Sequence, residues 1–214
     1  MKGKTLALVQ AILLALVILA GSIAVPVLCR PVYYLHIGPM NLQDAAGLPA
    51  EEIKTAYNEM MDFCIGLNDD FSVGALRWSE SGRAHFVDVR KLFVLDLRVL
   101  AVSAVLLIAV TVLRRKNKTL LAGHTPGFWG AVGLGVSFLV IGGLAALGFD
   151  RAFVVFHKVF FPGKDNWLFD YYEDQIITVL PAEFFRNCAI LILGLILISC
   201  GVLVGFDIVK RKRR

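Results

Sequence analysis

Residues 5–28 read TLALVQAILLALVILAGSIAVPVL, 24 consecutive residues without a charge. As a helix rising ~1.5 Å per residue this run is roughly 36 Å long, enough to cross a hydrocarbon core of ~30 Å. It predicts a first membrane span. Lys2 and Lys4 resemble the basic start of a signal peptide. The apolar run, however, exceeds a signal core of ~7–15 residues, and Val27-Leu28-Cys29 lacks the small residues of a cleavage site. Retention of the segment is therefore expected, and Cys29 is not expected to be lipidated.

Three more apolar runs follow. Residues 99–113 are uncharged but fall short of the ~20 that a span needs, so the helix must begin near 92, drawing Asp96 and Arg98 towards the interface. Residues 128–149 and 187–206 give charge-free runs of 22 and 20. The prediction is an all-α integral membrane protein, one membrane domain over 1–214, with four transmembrane helices at 5–28, 92–113, 128–149 and 187–207. Composition agrees: 57% of the 214 residues are hydrophobic and 18% charged, with a mean hydropathy of +0.71, whereas a water-soluble domain carries ~25% charged residues. The 15 Phe, 5 Tyr and 3 Trp exclude a disordered chain.

Lys and Arg in short loops orient the spans. Lys2 and Lys4 precede the first, Arg114, Arg115, Lys116 and Lys118 follow the second, and Lys210, Arg211, Lys212, Arg213 and Arg214 end the chain. Both termini and the 114–127 link are thus expected in the cytoplasm, with segments 29–91 and 150–186 extracytoplasmic. The basic tail reads as a topology determinant with affinity for anionic membrane lipids, and no nucleic-acid partner is expected. Eleven of the 22 cations fall on the cytoplasmic side, whereas the other eleven share the outer side with 16 of the 17 acids. The net charge of +5 therefore conceals a dipolar chain with an acidic outer face. Gly130, Gly133, Gly135, Gly142, Gly143 and Gly148 in the third span, and Gly201 and Gly205 in the fourth, predict close helix packing within one bundle, and a monomer is expected.

In the first outer segment, Leu48-Pro49-Ala50-Glu51-Glu52 reads as a helix start. Ile53, Tyr57, Met60, Met61, Cys64 and Ile65 give that helix an apolar face, either for packing or as a lid over a lipid-entry site. Ser79 and Ser81 are placed to cap another helix. If it continues into the second span, His85, Asp88, Leu92, Asp96, Val99 and Ser103 share one face, away from Arg90, Lys91 and Arg98. In the second outer segment, residues 151–161 place Phe153, Phe156, Phe160 and Phe161 on the side of His157 until Pro162-Gly163 ends the helix. Trp167, Phe169, Tyr171 and Tyr172 follow as an interfacial belt interleaved with Asp170, Glu173 and Asp174, and Pro181 opens the last helix.

Of the four histidines, His124 reads as a solvated loop residue and His36 as interfacial. His85 and His157 each stand at a membrane entry point on the outer side with carboxylates nearby, where an imidazole of pKa ~6.5 suits proton transfer. No H-E-x-x-H, C-x-x-C or histidine pair at i, i+4 supports a metal, so neither metal nor cofactor is implied. No G-x-S-x-G supports a serine hydrolase. Cys29, Cys64, Cys188 and Cys200 show no disulfide framework; a Cys29–Cys64 bridge is conceivable, and free thiols are the simpler expectation.

Two blocks carry a resemblance. Ser81-Gly-Arg-Ala-His85-Phe-Val-Asp88-Val-Arg90-Lys-Leu-Phe93 forms one. Phe156-His157-Lys-Val-Phe-Phe161, with Trp167-x-Phe169-Asp170-x-x-x-Asp174-x-Ile176-Ile177-x-x-Leu180-Pro181, forms the other. In these, and in size and span layout, the chain resembles the Lit family of bacterial lipoprotein intramolecular transacylases. The resemblance implies an acyltransferase whose partners are diacylglyceryl-modified lipoproteins. It would move the sn-2 acyl chain of the diacylglyceryl-cysteine to the cysteine's own α-amino group, with the family's paired active histidines falling on His85 and His157. Beside them, Asp88 is placed to orient His85, Arg83 or Arg90 to meet carbonyl or headgroup oxygens, and Phe153, Phe156, Phe160 and Trp167 to wall acyl chains. Asp170 and Asp174 complete the supporting set. The alternative from another class is a non-catalytic four-helix membrane partner or a small transport subunit, in which both histidines tolerate replacement.

Overall fold

The computed structural model describes residues 2–116 and 118–213; Arg214, the last cation of the tail, lies outside the described residues, as does the Lys2 side chain. The helices are α1 (Lys2–Leu28), α2 (Arg30–Ile37), α3 (Leu42–Ala46), α4 (Ala50–Cys64), α5 (Glu80–Leu113), α6 (Pro126–Ala146), α7 (Phe149–Phe160) and α8 (Ala182–Lys212), with a 3-10 turn at Gln175–Val179. Four of these, α1, α5, α6 and α8, are long and apolar enough to cross a membrane. Among the described residues the one strand-like feature is an isolated bridge between Leu121 and His124.

Two spans far exceed their expected lengths. α5 runs for 34 residues and α8 for 31, about 51 and 46 Å at ~1.5 Å per residue, so each continues well beyond the hydrocarbon. The third is shorter than expected: α6 stops at Ala146, and the chain leaves the helix at Leu147 and Gly148 before α7 begins at Phe149. Gly142 and Gly143 weaken the last turns of α6, each glycine in a helix costing roughly 1 kcal/mol relative to alanine, and Gly148 stands at the break before α7.

The chain divides into two compact units. The first comprises Met1–Ile23, Asp96–Ala146 and Ile190–Arg214. Its core is Ala131, Ile196 and Cys200, surrounded by Ile18, Leu134, Phe138 and Leu203. Backbones approach closely there: a Cβ on Gly130 would lie 2.5 Å from the Ala11 carbonyl oxygen, and one on Gly142 would lie 2.7 Å from Leu193 Cδ2. Gly201 and Gly205 correct the packing expectation, since a Cβ on either meets nothing within 4 Å. Val105, Ile108, Leu144 and Ile198 are exposed apolar residues on these helices, as expected of surfaces that face lipid tails. His124 is also corrected. It is no solvated loop residue: its ring stacks on Phe128 with centres 3.9 Å apart, and Nδ1 meets the fully buried Asp207 carboxylate at 2.8 Å.

The second unit comprises Ala24–Leu95 and Leu147–Ala189. α4 begins after Pro49 and buries Ile53, Ala56, Tyr57, Met60, Met61, Phe63 and Cys64. Tyr57 stacks on Tyr33 at 3.7 Å, Phe184 packs edge-on to both, and the Tyr33 hydroxyl donates to the Val179 carbonyl at 2.8 Å. The apolar face of α4 is therefore core packing and not a lid. All four cysteines are free, with Cys29 exposed and Cys64 buried. Burial pushes the Cys64 thiol up to about 12, which leaves it protonated and inert at neutral pH.

Candidate active site

His85 lies in the second turn of α5, and the geometry of that helix's start fixes its place. Ser79 caps the helix, its Oγ accepting the Gly82 N–H at 2.9 Å and its carbonyl accepting the Arg83 N–H at 2.8 Å. His157 lies in the last turn of α7, immediately before the Phe160-Phe161-Pro162-Gly163 exit that ends the helix. Both histidines belong to the second unit, and each is only 6% exposed.

The two imidazole rings have centres 5.7 Å apart, tilted by 31°. An aromatic shell surrounds them. Phe161 and Phe169 present their edges to His85 at 5.0 and 5.4 Å, while Phe153 and Trp167 lie against His157 at 4.3 and 4.7 Å. The His157 Nδ1–H donates to the Phe153 carbonyl at 2.7 Å. That bond assigns the ring proton to Nδ1 and leaves Nε2 with its lone pair. His85 Nδ1 is buried and has no hydrogen-bond partner among the described residues. A buried imidazole nitrogen without a partner is costly, and it is available to a group that enters the site. Together the pair offers one oriented base and one uncommitted nitrogen among buried and half-buried aromatic side chains.

A family model described as lipoprotein intramolecular transacylase Lit matches residues 8–185. The chain belongs to the Lit family. The in meso structure of membrane-integral Lit from Bacillus cereus is 28% identical and matches with a TM-score of 0.89, covering 99% of this chain and 98% of that chain. Structures of the Bacillus cereus protein with an H85R or an H85A mutation match with TM-scores of 0.81 and 0.80, at 28% and 27% identity. They cover 99% and 100% of this chain, and 94% and 96% of theirs. No curated protein sequence matches the chain. As a Lit protein it is a membrane-integral acyltransferase of lipoproteins.

The other residues of this Lit protein expected near the site divide into two groups. Asp88 is buried beside the pair, but its carboxylate takes Lys164 Nζ at 2.5 Å, Lys91 Nζ at 3.0 Å and Asn166 Nδ2 at 3.2 Å. The Lys164 carbonyl in turn accepts the Trp167 indole N–H at 3.0 Å. Asp88 thus ties α5 to the segment that holds Trp167 against His157. Asp174, 2% exposed, accepts the Ser79 N–H at 2.7 Å and the Ser79 O–H at 2.9 Å, anchoring the start of α5. Asp170 closes a local turn, its carboxylate accepting the Tyr172 N–H at 2.8 Å. The two arginines are engaged away from the rings: Arg83 pairs with Glu80 at 3.5 Å, and Arg90 binds Asp69 and the Asn68 carbonyl while lying over Phe63. Phe156 and Phe160 are half-exposed and pack on each other at 4.6 Å. Lys164 and Asn166 carried no signal in the sequence, since a lysine and an asparagine beside Pro162-Gly163 read as ordinary loop residues.

Burial holds the His157 imidazole below its ordinary value, against the opposing pull of the Phe153 carbonyl. Between the folded and unfolded values the unfolded chain binds more protons, so stability falls as pH drops below ~6.5. Thermal unfolding of wild type is therefore expected to shift to lower temperature between neutral and mildly acidic pH. His157→Gln is expected to show a smaller shift, and equal shifts in the two proteins would refute this linkage.

Proposed function

We propose that this chain moves the sn-2 acyl chain of a diacylglyceryl-modified cysteine to that cysteine's α-amino group, using His85 and His157 as the acid–base pair. The observation that carries the reading is the pair of buried imidazoles 5.7 Å apart in an aromatic pocket. The α-amine, of pKa ~7.7, is largely protonated near neutrality, and the species that reacts is its neutral fraction, formed by loss of one proton to water. His157 Nε2, held as the acceptor by the Nδ1–H bond to Phe153, takes a proton from the amine as its nitrogen attacks the ester carbonyl carbon. The carbonyl becomes an oxyanion, and His85, in the neutral tautomer that carries its proton on the partnerless Nδ1, donates to it. Collapse breaks the ester C–O bond, and the glyceryl oxygen leaves with the proton that His157 took from the amine. The products are an N-acyl amide and a glyceryl group with a free sn-2 hydroxyl. Donor and acceptor belong to one molecule, so positioning and exclusion of water supply much of the rate.

The test is expression in a host whose lipoproteins carry only diacylglyceryl, with mass spectrometry of an N-terminal lipopeptide. The expected product is the N-acyl, monoacylglyceryl form, and its absence overturns the proposal. Isotope labelling of the lipoprotein's own acyl chains separates this shift from transfer out of phospholipid.

The reading places the pocket on the extracytoplasmic side of the bacterial cytoplasmic membrane, with both termini in the cytoplasm, because basic residues cluster at the termini and in the 114–127 link. Cys29 is exposed whereas Cys64 is buried. A membrane-impermeant maleimide applied to intact cells stripped of their outer layers is expected to label wild type and not Cys29→Ser. Labelling of Cys29 only after the membrane is opened would reverse the orientation.

A further inference from the structure

Arg114 follows the last residue of α5 and is 8% exposed. Its Nη1 donates to the Gln10 side-chain oxygen and its Nη2 to the Thr119 carbonyl at 2.5 Å, whereas its buried Nε has no partner among the described residues. Gln10 is itself held by a bond from its amide to Thr111 Oγ1 at 3.0 Å. The acceptors around Arg114 are therefore neutral, and among the described residues no carboxylate pairs with it. A guanidinium stays charged at any physiological pH, and a buried charge without a counter-ion is unfavourable.

Arg114 lines a cavity of about 340 Å³ within the first unit. Arg115, Lys118 and Lys210 also line it, with Leu203 and Phe206 among its apolar walls, and no acid does. Asp207, on the same stretch of α8, is committed to the Thr125 N–H at 2.7 Å and to His124. Four cations around one cavity repel one another, and an anion inside it removes that repulsion and supplies the buried guanidinium with its missing partner. At ~30 Å³ per water the cavity has the volume of about eleven waters, room for a phosphate with a glycerol-sized body but not for two acyl chains. The residues that form it stand where α5 ends and α6 begins, at the end of membrane helices.

We propose that this cavity is a binding site for a phosphate group, supplied by the headgroup of an anionic glycerophospholipid or by free phosphate. Arg114 and the three other cations take its oxygens. Neither His85 nor His157 lines the cavity, and the test of the site does not read activity.

The full chain is placed in nanodiscs of phosphatidylcholine alone, of phosphatidylcholine with phosphatidylglycerol, and of phosphatidylcholine with millimolar inorganic phosphate. Lipid retained on the protein is read by native mass spectrometry, and stability by thermal unfolding. Selective retention of phosphatidylglycerol with a raised unfolding temperature supports the site and assigns the phosphate to lipid. Stabilisation by inorganic phosphate alone supports the site and assigns it to free phosphate. Identical behaviour under all three conditions overturns the proposal. The variant Arg115→Ala/Lys118→Ala/Lys210→Ala is expected to weaken retention or stabilisation by roughly tenfold or more. Lys212→Ala/Arg213→Ala removes two tail cations that do not line the cavity and is expected to change it by less than about twofold. Undiminished binding in the triple variant, or an equal loss in the tail variant, assigns the effect to the basic tail at large and overturns the site. Arg114→Gln is expected to abolish the effect, and if that variant fails to fold, the triple variant with Arg114 intact still decides.

Discussion

Replacement of His157 by alanine is expected to lower conversion of diacylglyceryl lipoprotein to its N-acyl lyso-form by roughly 10²–10⁴-fold, the range typical of losing a positioned acid or base. The expectation follows from the geometry of the ring: the Phe153 carbonyl holds Nδ1–H, so the lone pair that remains is on Nε2, and alanine removes that base while leaving the Phe153 carbonyl without its donor. His85→Ala is expected to fall in the same range, because it removes the nitrogen left uncommitted 5.7 Å ring to ring from its partner. The double variant is expected to be little worse than either single one, since residues acting as a unit are far from additive. Folding is controlled by thermal unfolding of each purified variant. Conversion close to wild type in well-folded His157→Ala and His85→Ala would favour the reading as a non-catalytic membrane partner.

The four crossings were legible because uncharged runs of about 20 residues leave few other structures open to a chain. The extension of α5 back to Glu80 was legible too, since Ser79 caps it where a serine would be expected to. The facing of His85 and His157 was not readable from either block alone. Periodicity places His85 on a face of α5 and His157 on a face of α7, but the meeting of those faces depends on tertiary contacts such as Lys164 with Asp88. Those contacts come from loop residues whose identity carries no periodic signal.

The glycines show a second limit. Gly201 and Gly205 have the i, i+4 spacing of a packing motif yet face open space, whereas Gly130 presses on the Ala11 carbonyl and Gly142 on Leu193. In water, an apolar face must be buried by protein, and the pattern of a sequence therefore locates the core. In lipid, the apolar faces of a span are equally at ease against protein and against acyl chains, so small-residue spacing does not tell which face is paired. His124 was misread for a related reason: its partner Asp207 lies 83 residues away and is the buried acid near the end of α8.

Asp174→Ala is expected to destabilise the protein by about 2 kcal/mol or more and to lower conversion without touching either histidine. Asp174 is buried and accepts both the N–H and the O–H of Ser79, whose own oxygen caps the Gly82 N–H three residues before His85. Losing the carboxylate strands a buried donor, at roughly 1–3 kcal/mol, and loosens a cap worth about 1 kcal/mol. Gly82 is the other half of the contact, because a Cβ there would overlap Asp174 Oδ1 and lie 2.9 Å from its Cγ and 3.2 Å from Phe169 Cε1. Gly82→Ala is therefore expected to be strongly destabilising in wild type even though alanine is the better helix former. In an Asp174→Ala background the overlap with the carboxylate is gone, and the same substitution is expected to cost much less. A double-mutant cycle on unfolding midpoints reads this coupling, expected at about 1 kcal/mol or more for residues in direct contact. Asp174→Asn, which keeps an acceptor for the Ser79 N–H, is expected to recover part of both stability and conversion. Additive losses in the cycle, or an Asp174→Asn variant no better than Asp174→Ala, would show that the start of α5 is held by something other than this contact.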